Sequence, residues 1–236
     1  MEEKSEVLTL DLAKTLDVTV QTVRADLKKL EEMGQVKRFH GGAQKIDTVE
    51  NFDARIVKNK EEKMKMAKYI ASTIRENETI FFDGGTTMMY IIQNLPSDIN
   101  INVVTASIAI ANESTRLINS EIYSLGGVVN KISKEVYGSQ AKAEIERLTF
   151  DKAILGVTGI SLESGFTENN MLSLEIKKEV LKNTTESIVI ADSSKFGIKG
   201  MYKAFDFEEI DKVITTSEFH RDDEYYKKDL NIFKLE

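Results

Sequence analysis

Two rhythms of apolar positions run along the chain. In the N-terminal part Val20, Val23, Leu27 and Leu30 recur at the 3-and-4 spacing of one helix face. Thr19, one position upstream, suits an N-cap because its hydroxyl can satisfy a free amide of the first turn. Gly34 stands where a C′ glycine ends a helix. Residues 35–39 then alternate as one arm of a hairpin that turns at Gly41-Gly42. A shorter helix, capped by Thr9, is expected to run to about Leu16 on Leu10, Leu12, Ala13 and Leu16. From Glu61 the helical period returns at Met64, Ala67, Ile70, Ala71 and Ile74. Beyond it, apolar runs alternate with amphipathic stretches. The runs at 79–83, 101–105, 121–125, 153–157, 187–191 and 212–216 predict strands, and about 86–95, 107–118, 138–148 and 171–184 predict helices. Runs buried on both faces and separated by helices indicate a parallel or mostly parallel α/β sheet.

This pattern divides the chain into a small helix-and-hairpin unit over 1–43, a linker over 44–60 and an α/β domain over 61–236. The linker QKIDTVENFDARIVKNK is polar and keeps neither period. It has room for one extended piece around Phe52, whose ring can dock on a domain. The single proline, Pro96, falls between a predicted helix and a predicted strand.

Composition narrows the class. The 236 residues are 41% hydrophobic and 30% charged, and no apolar run approaches the ~18 residues of a membrane span. The opening MEEKSEV is acidic and lacks the apolar core of a signal peptide. Zero cysteines exclude disulfides, thiol catalysis and cysteine-ligated zinc, and fit a cytoplasmic protein. His40 and His220 are too far apart in sequence to suggest a metal site, and no cofactor motif is present. The formal charge of −7 is unevenly spread: residues 1–45 hold eight basic and eight acidic side chains, so the remainder carries the whole excess. Behind a locally basic head, an acidic body would repel DNA in every orientation but one.

Projected at roughly 100° per residue, the face of the first long helix opposite its apolar stripe carries Gln21, Thr22, Ala25, Lys28 and Lys29, with Arg24 on its flank. Lys37, Arg38 and His40 supply donors on the hairpin. A groove-sized helix with small polar and basic residues at its start, beside a basic hairpin, suits the major groove and its flanking phosphates. On spacing alone that reading stands level with a plain solvated amphipathic helix.

In open α/β sheets ligands bind beyond the carboxyl ends of the strands. After the first strand comes Asp83-Gly84-Gly85-Thr86-Thr87. Its glycines admit a close ligand, and its threonines open a helix whose free amides suit an anion. The alternative is an ordinary strand-to-helix turn. Later strands are followed by Thr105-Ala106-Ser107, by Gly126-Gly127, by Gly156-Val157-Thr158-Gly159 and by Asp192-Ser193-Ser194-Lys195. Lys195 among serines suits an anionic ligand, and Lys177 on the preceding helix can add charge, although either lysine alone reads as a solvated surface residue.

The runs T-V-R-A-D-L, L-E-E-M-G and K-R-F-H-G-G-A resemble the signature of the DeoR family of bacterial sugar-metabolism regulators. The resemblance covers nearly the whole chain. Asp83-Gly84-Gly85-Thr86-Thr87, Val104-Thr105-Ala106-Ser107, Leu125-Gly126-Gly127, Phe150-Asp151-Lys152-Ala153, Gly165-Phe166-Thr167, Glu175-Ile176-Lys177 and the stretch from Ala191 to Gly197 match the family's sensor domain in order. It implies an N-terminal winged helix-turn-helix and a larger Rossmann-like sheet domain similar to ribose-5-phosphate isomerase and amino-sugar phosphate deaminases. The D-x-G-T-T loop would hold the effector's phosphate. Three positions depart from the pattern: Ala25 replaces a usual second arginine, Thr158 stands where an aspartate is common, and only Met1-Glu2-Glu3-Lys4 precede the segment that normally follows a full helix. The first helix is therefore expected to be truncated, the chain starting late relative to the natural product.

The expectation is a repressor of a sugar-metabolism operon, released or engaged by a phosphorylated sugar. Thr19, Gln21, Thr22, Arg24 and Lys28 would meet the major groove of operator DNA, with Lys37, Arg38 and His40 on phosphates. The effector would meet Asp83, Gly84, Gly85, Thr86, Thr87, Thr105, Ala106, Ser107, Gly126, Gly127, Thr158, Glu175, Lys177, Asp192 and Lys195. Operator symmetry implies a homo-oligomer, a dimer or tetramer. Two rivals remain: a sugar-phosphate isomerase or deaminase, disfavoured because Thr158 is no general base, and a sensor that no longer binds DNA.

Overall fold

The computed structural model describes residues 6–32, 36–39, 41–45, 51–217, 225 and 230–235. They fall into two compact units, Met1–Asn51 and Phe52–Glu236. Gly34, His40 and His220 lie outside the described residues.

In the smaller unit β1 (Glu6–Leu8) leads into α1 (Thr9–Leu16), α2 (Val20–Glu32), β2 (Val36–Phe39) and β3 (Gly42–Lys45). The strands form an antiparallel sheet in the order β1-β3-β2. Leu12, Ala13, Val23, Leu27 and Ala43 make its core, with Val7, Val20, Leu30 and Val36 packed around them. Thr19 caps α2 as expected: its Oγ1 accepts from the amide of Thr22 at 3.1 Å. Thr9 does not cap α1. Leu8 occupies the cap position without a side-chain bond, and Thr9 is the buried first residue of the helix. The cause is β1, which pairs Leu8 with Gly42 and delivers the Thr9 amide to the carbonyl of Gly41 at 2.9 Å, so the first turn needs no hydroxyl there. Gly42 must lack a side chain, because a Cβ would stand 2.4 Å from the carbonyl oxygen of Val7.

The larger unit opens with α3 (Phe52–Val57) and α4 (Lys60–Thr73). It continues through β4 (Thr79–Phe82), α5 (Thr86–Asn94), β5 (Asn102–Thr105), α6 (Ile108–Ser114) and β6 (Glu121–Ser124). Next come β7 (Val128–Asn130), β8 (Glu135–Tyr137), α7 (Ser139–Ile145), β9 (Phe150–Leu155), β10 (Gly159–Ser161) and β11 (Gly165–Glu168). It closes with α8 (Met171–Lys182), β12 (Thr184–Ile190), β13 (Tyr202–Phe205), β14 (Lys212–Thr216) and β15 (Ile232–Leu235). Seven strands form one sheet in the order β15-β14-β12-β9-β4-β5-β6, and every pairing in it is parallel. Alternate residues feed two cores, as a sheet covered on both faces requires. Phe81, Val104, Leu155, Val189 and Val213 face the layer of α7 and α8, whereas Phe82, Val103, Ile154, Ile188 and Ile214 face α4, α5 and α6.

The topology marks a candidate site. From β4 the chain steps outward through β5 and β6, then returns to the other side of β4 and steps outward again through β9, β12, β14 and β15. The crevice between the ends of β4 and β9 is therefore the switch point, where sheets of this kind bind ligands. Three additions lie outside the sequence pattern: the edge strand β15, the hairpin β7–β8 and the antiparallel sheet β10-β11-β13.

The segment read as linker is structured at both ends. Gln44 and Lys45 belong to β3, and Phe52 starts a helix rather than an extended piece. Its ring is fully buried, its amide donates to the carbonyl of Ile132 at 3.0 Å, and the charged ends of Arg55 and Lys134 lie 5.8 and 5.4 Å from its centroid. Phe52→Ala should cost about 3–5 kcal/mol, measured by urea unfolding of the full chain; a cost under about 1 kcal/mol would mean that the ring contributes little to the fold.

Candidate functional site

At the switch point one lysine joins three elements. Lys177, on the inner face of α8, places Nζ 2.9 Å from Oδ2 of Asp83, which follows β4. The same ammonium donates to the carbonyl of Gly156, after β9, at 2.7 Å, and to Oε1 of Glu168 at the end of β11. Asp83 in turn accepts from the amide of Gly156 at 2.8 Å. Burial alone would lower the Lys177 pKa, but the Asp83 and Glu168 carboxylates outweigh it and hold the value above the ordinary lysine range. Lys177 is thus a permanent cation already claimed by two carboxylates, not the free anion ligand expected from the sequence. Thr158 completes this wall by donating to Oε2 of Glu168 at 2.9 Å.

The hairpin β7–β8 approaches the same turn. Glu135 brings its carboxylate against Gly84 so closely that a Cβ on that glycine would stand 2.1 Å from Oε1. The hydroxyl of Tyr137 donates to Oε2 of Glu135 at 2.5 Å and accepts from Nδ2 of Asn170 at 2.9 Å. Asn170 also caps α8. Burial, then the neighbouring Asp83 carboxylate, pushes the Glu135 pKa upward; burial, then Glu135, does the same to the Tyr137 phenol. Glu135, Tyr137, Glu168 and Asn170 were not among the residues anticipated from sequence. Their signal is faint: Glu135 and Tyr137 are two apart, hence on one face of a strand only three residues long.

At the start of α5, Gly85 occupies the cap position without a side-chain bond and Thr86 is buried. Nζ of Lys63 donates to Oγ1 of Thr86 at 2.9 Å and to the carbonyl of Arg55 at 2.5 Å. The same end of α4 reaches the turn after β12. Nδ2 of Asn59 donates to Asp192 at 2.9 Å, and the amide and hydroxyl of Ser193 donate to Glu62 at 2.8 and 2.9 Å. Because β4, β9 and β12 are neighbours, Asp83, Gly84, Gly85, Thr86, Thr87, Thr158, Lys177, Asp192 and half-buried Lys195 share one edge of the sheet.

Thr105, Ala106 and Ser107 follow β5, the other neighbour of β4, and Ser107 bridges Glu135 of the hairpin, whereas Gly126, Gly127 and Glu175 stand apart. Thr105, Ala106 and Ser107 are buried and occupied. The Ser107 amide donates to Oγ1 of Thr105 at 3.0 Å, the Ser107 hydroxyl caps α6, and the carbonyl of Ala106 accepts from Val136 of the hairpin at 2.6 Å. Gly126 and Gly127 follow β6 at the far end of the sheet, and the Gly126 amide donates to Glu144 at 3.0 Å. Glu175 is exposed on α8, rotated about 200° from buried Lys177.

In the smaller unit Thr19, Gln21, Thr22, Arg24, Ala25 and Lys28 are all exposed on or beside α2, opposite buried Val23 and Leu27. The hydroxyls of Thr19 and Thr22 are 2.8 Å apart. Arg38 is exposed on β2, where Glu31 accepts from its amide at 2.9 Å and lies 3.5 Å from Nε. Lys37 occupies the adjacent position of the strand, paired with Gln44.

Residues 58–217 match the model of the DeoR C-terminal sensor domain, and residues 1–49 match that of the DeoR-like helix-turn-helix domain. The chain belongs to the DeoR family. It is a DNA-binding transcriptional regulator. Among its relatives, the HTH-type transcriptional regulator GolR of Listeria innocua is 29% identical over 97% of this chain and 90% of its own length. The HTH-type transcriptional repressor GlcR of Bacillus subtilis is 31% identical over 91% of this chain and 84% of its own length. Of solved structures, the probable sor operon regulator of Shigella flexneri shares 16% identity at a TM-score of 0.48, covering 68% of this chain and 87% of its own. Ribose 5-phosphate isomerase A of Methanocaldococcus jannaschii shares 16% at 0.43, covering 58% and 55%. No helix among the described residues of this regulator is long and apolar enough to cross a membrane.

The raised pKa of Glu135 has a stability consequence with a definite sign. A carboxyl whose folded pKa exceeds its unfolded value favours folding below the unfolded value, 4.5, and loses that contribution as pH rises through the folded one. Near neutral pH its buried anion is a net cost. Glu135→Gln should therefore raise the melting temperature at about pH 7 by a few degrees, with the gain fading toward about pH 4; a variant less stable at both pH values would contradict this.

Proposed function

We propose that this regulator is a repressor of a sugar-metabolism operon, and that a phosphorylated sugar binds its sensor at the turn joining β4 to α5. The observation that carries the reading is the position of Asp83-Gly84-Gly85-Thr86-Thr87 at the switch point, with α5 opening there and Lys63 gripping Thr86. Free amides, a helix dipole and a buried ammonium converge on one place, as an anion requires. The carboxylates, Thr158 and Asn170 supply acceptors and donors for hydroxyls beside it.

Catalysis is not part of the proposal. A base must be free to take a proton, yet Asp83 is held by Lys177 and the Gly156 amide. A nucleophilic lysine must be neutral, yet two carboxylates keep Lys177 charged. Thr158, where the family commonly has an aspartate, donates to Glu168 and accepts from the amide of Asn169, and its hydroxyl is no general base.

On the DNA side, the exposed polar face of α2 would enter the major groove, with Arg38, Lys37 and His40 on flanking phosphates. Two such heads, in at least a dimer, would read a symmetric operator in the cytoplasm. The effector alters operator affinity by binding two arrangements of the heads unequally.

Two measurements check these assignments. Thr86→Val should weaken binding of a phosphosugar panel by tenfold or more, about 1.4 kcal/mol, in isothermal titration; unchanged affinity would remove the α5 turn from the site. Arg38→Ala should lower the slope of log affinity for operator against log salt by about one. Its surface pair with Glu31 is weak, so Glu31→Gln should instead raise operator affinity a few-fold. An unchanged slope would take Arg38 off the DNA backbone.

A further inference from the structure

The effector reading leaves Glu135 without a task. The β7–β8 hairpin sets this carboxylate directly against Gly84, at the loop assigned to the effector, and any side chain on Gly84 would displace it. Its partners are the hydroxyls of Tyr137 and Ser133, and among the described residues no ammonium lies within ion-pair distance of it, although Lys177 attracts it from farther off. The one ammonium that joins the Asp83 and Glu168 carboxylates, that of Lys177, is shared between them. Three carboxylates therefore stand around Lys177, with Lys63 a second ammonium at the start of α5, so acidic charge is in excess. Ionised carboxylates only accept hydrogen bonds, so Glu135 can be satisfied by a donor and not by a phosphate oxygen. A plain sugar phosphate adds negative charge to this excess. One that also carries an ammonium offsets it.

We propose that Glu135 determines the specificity of the effector site, and that the effector is a phosphorylated amino sugar, its phosphate on the β4–α5 turn and its ammonium against Glu135. This rests on the phosphosugar reading of the same turn.

The test is isothermal titration of the full chain with inorganic phosphate and two matched pairs. These are glucose 6-phosphate with glucosamine 6-phosphate, and galactose 6-phosphate with galactosamine 6-phosphate. In at least one pair the amine should bind about tenfold tighter or more, and Glu135→Gln should bring that pair within about threefold by weakening the amine. A second arm uses the unaltered chain. Lowering the pH from neutrality toward the ordinary carboxyl range should narrow the ratio, because Glu135, which faces Asp83, Lys177 and Tyr137, takes up its proton above that range. Titration of the phosphate itself cancels within each pair. Equal binding within both pairs, or a preference indifferent to both Glu135→Gln and pH, overturns the proposal and leaves the phosphosugar reading standing. If no probe binds, inorganic phosphate included, the phosphosugar reading fails and this inference with it.

Discussion

One buried ammonium holds together the turns at the switch point of the sensor's sheet. Lys177 comes from α8, yet it fixes the turn after β4 through Asp83, the turn after β9 through the carbonyl of Gly156 and the end of β11 through Glu168. Desolvating a lysine costs several kcal/mol, and only close, hydrogen-bonded partners repay it. Here two carboxylates and a carbonyl do so. The return is geometric: the turns that follow the two strands flanking the switch point are tied to one another. A preformed site binds without first ordering itself.

That arrangement divides the labour among the charged groups. Lys177 is structural, and Lys63, anchored on Thr86 and Arg55, is the ammonium that stands at the opening of α5. The acidic groups lie at the same turn: Glu135 of the hairpin stands against Gly84, and Glu168 faces Thr158. A turn that gathers amides, a cation and carboxylates suits a ligand that carries both an anion and hydrogen-bond donors.

The main sheet was legible from sequence because its strands are buried on both faces: runs such as Ile80-Phe81-Phe82 and Val103-Val104 have no polar alternation to confuse them. The α2 helix was legible because thirteen residues hold a consistent period. Elements of three residues carry no period, so β7, β8 and β10 were invisible, and with them the route by which Glu135 reaches the site. In α3 only Phe52 and Ile56 repeat, too little to distinguish a helix from a polar tether. The D-G-G-T-T turn announced itself by its glycines and hydroxyls. The charge of Lys177 is legible in the sequence but its partners are not, since spacing cannot reveal that Asp83 and Glu168 converge on it from elements 94 and 9 residues away. Thr105 and Ser107 show why hydroxyl-rich turns are ambiguous in sequence: here they brace the start of α6, and Ser107 bridges Glu135 of the hairpin.

The most direct measurement is hydrogen exchange of the backbone amides with and without the phosphosugar that most raises the melting temperature. Exchange at Gly84 to Met88 and at Gly156 to Thr158 should slow on binding, while the turn after β6 stays unchanged. Slowing confined to the β6 edge, or absent from the β4–α5 turn, would contradict capture of the effector at the switch point.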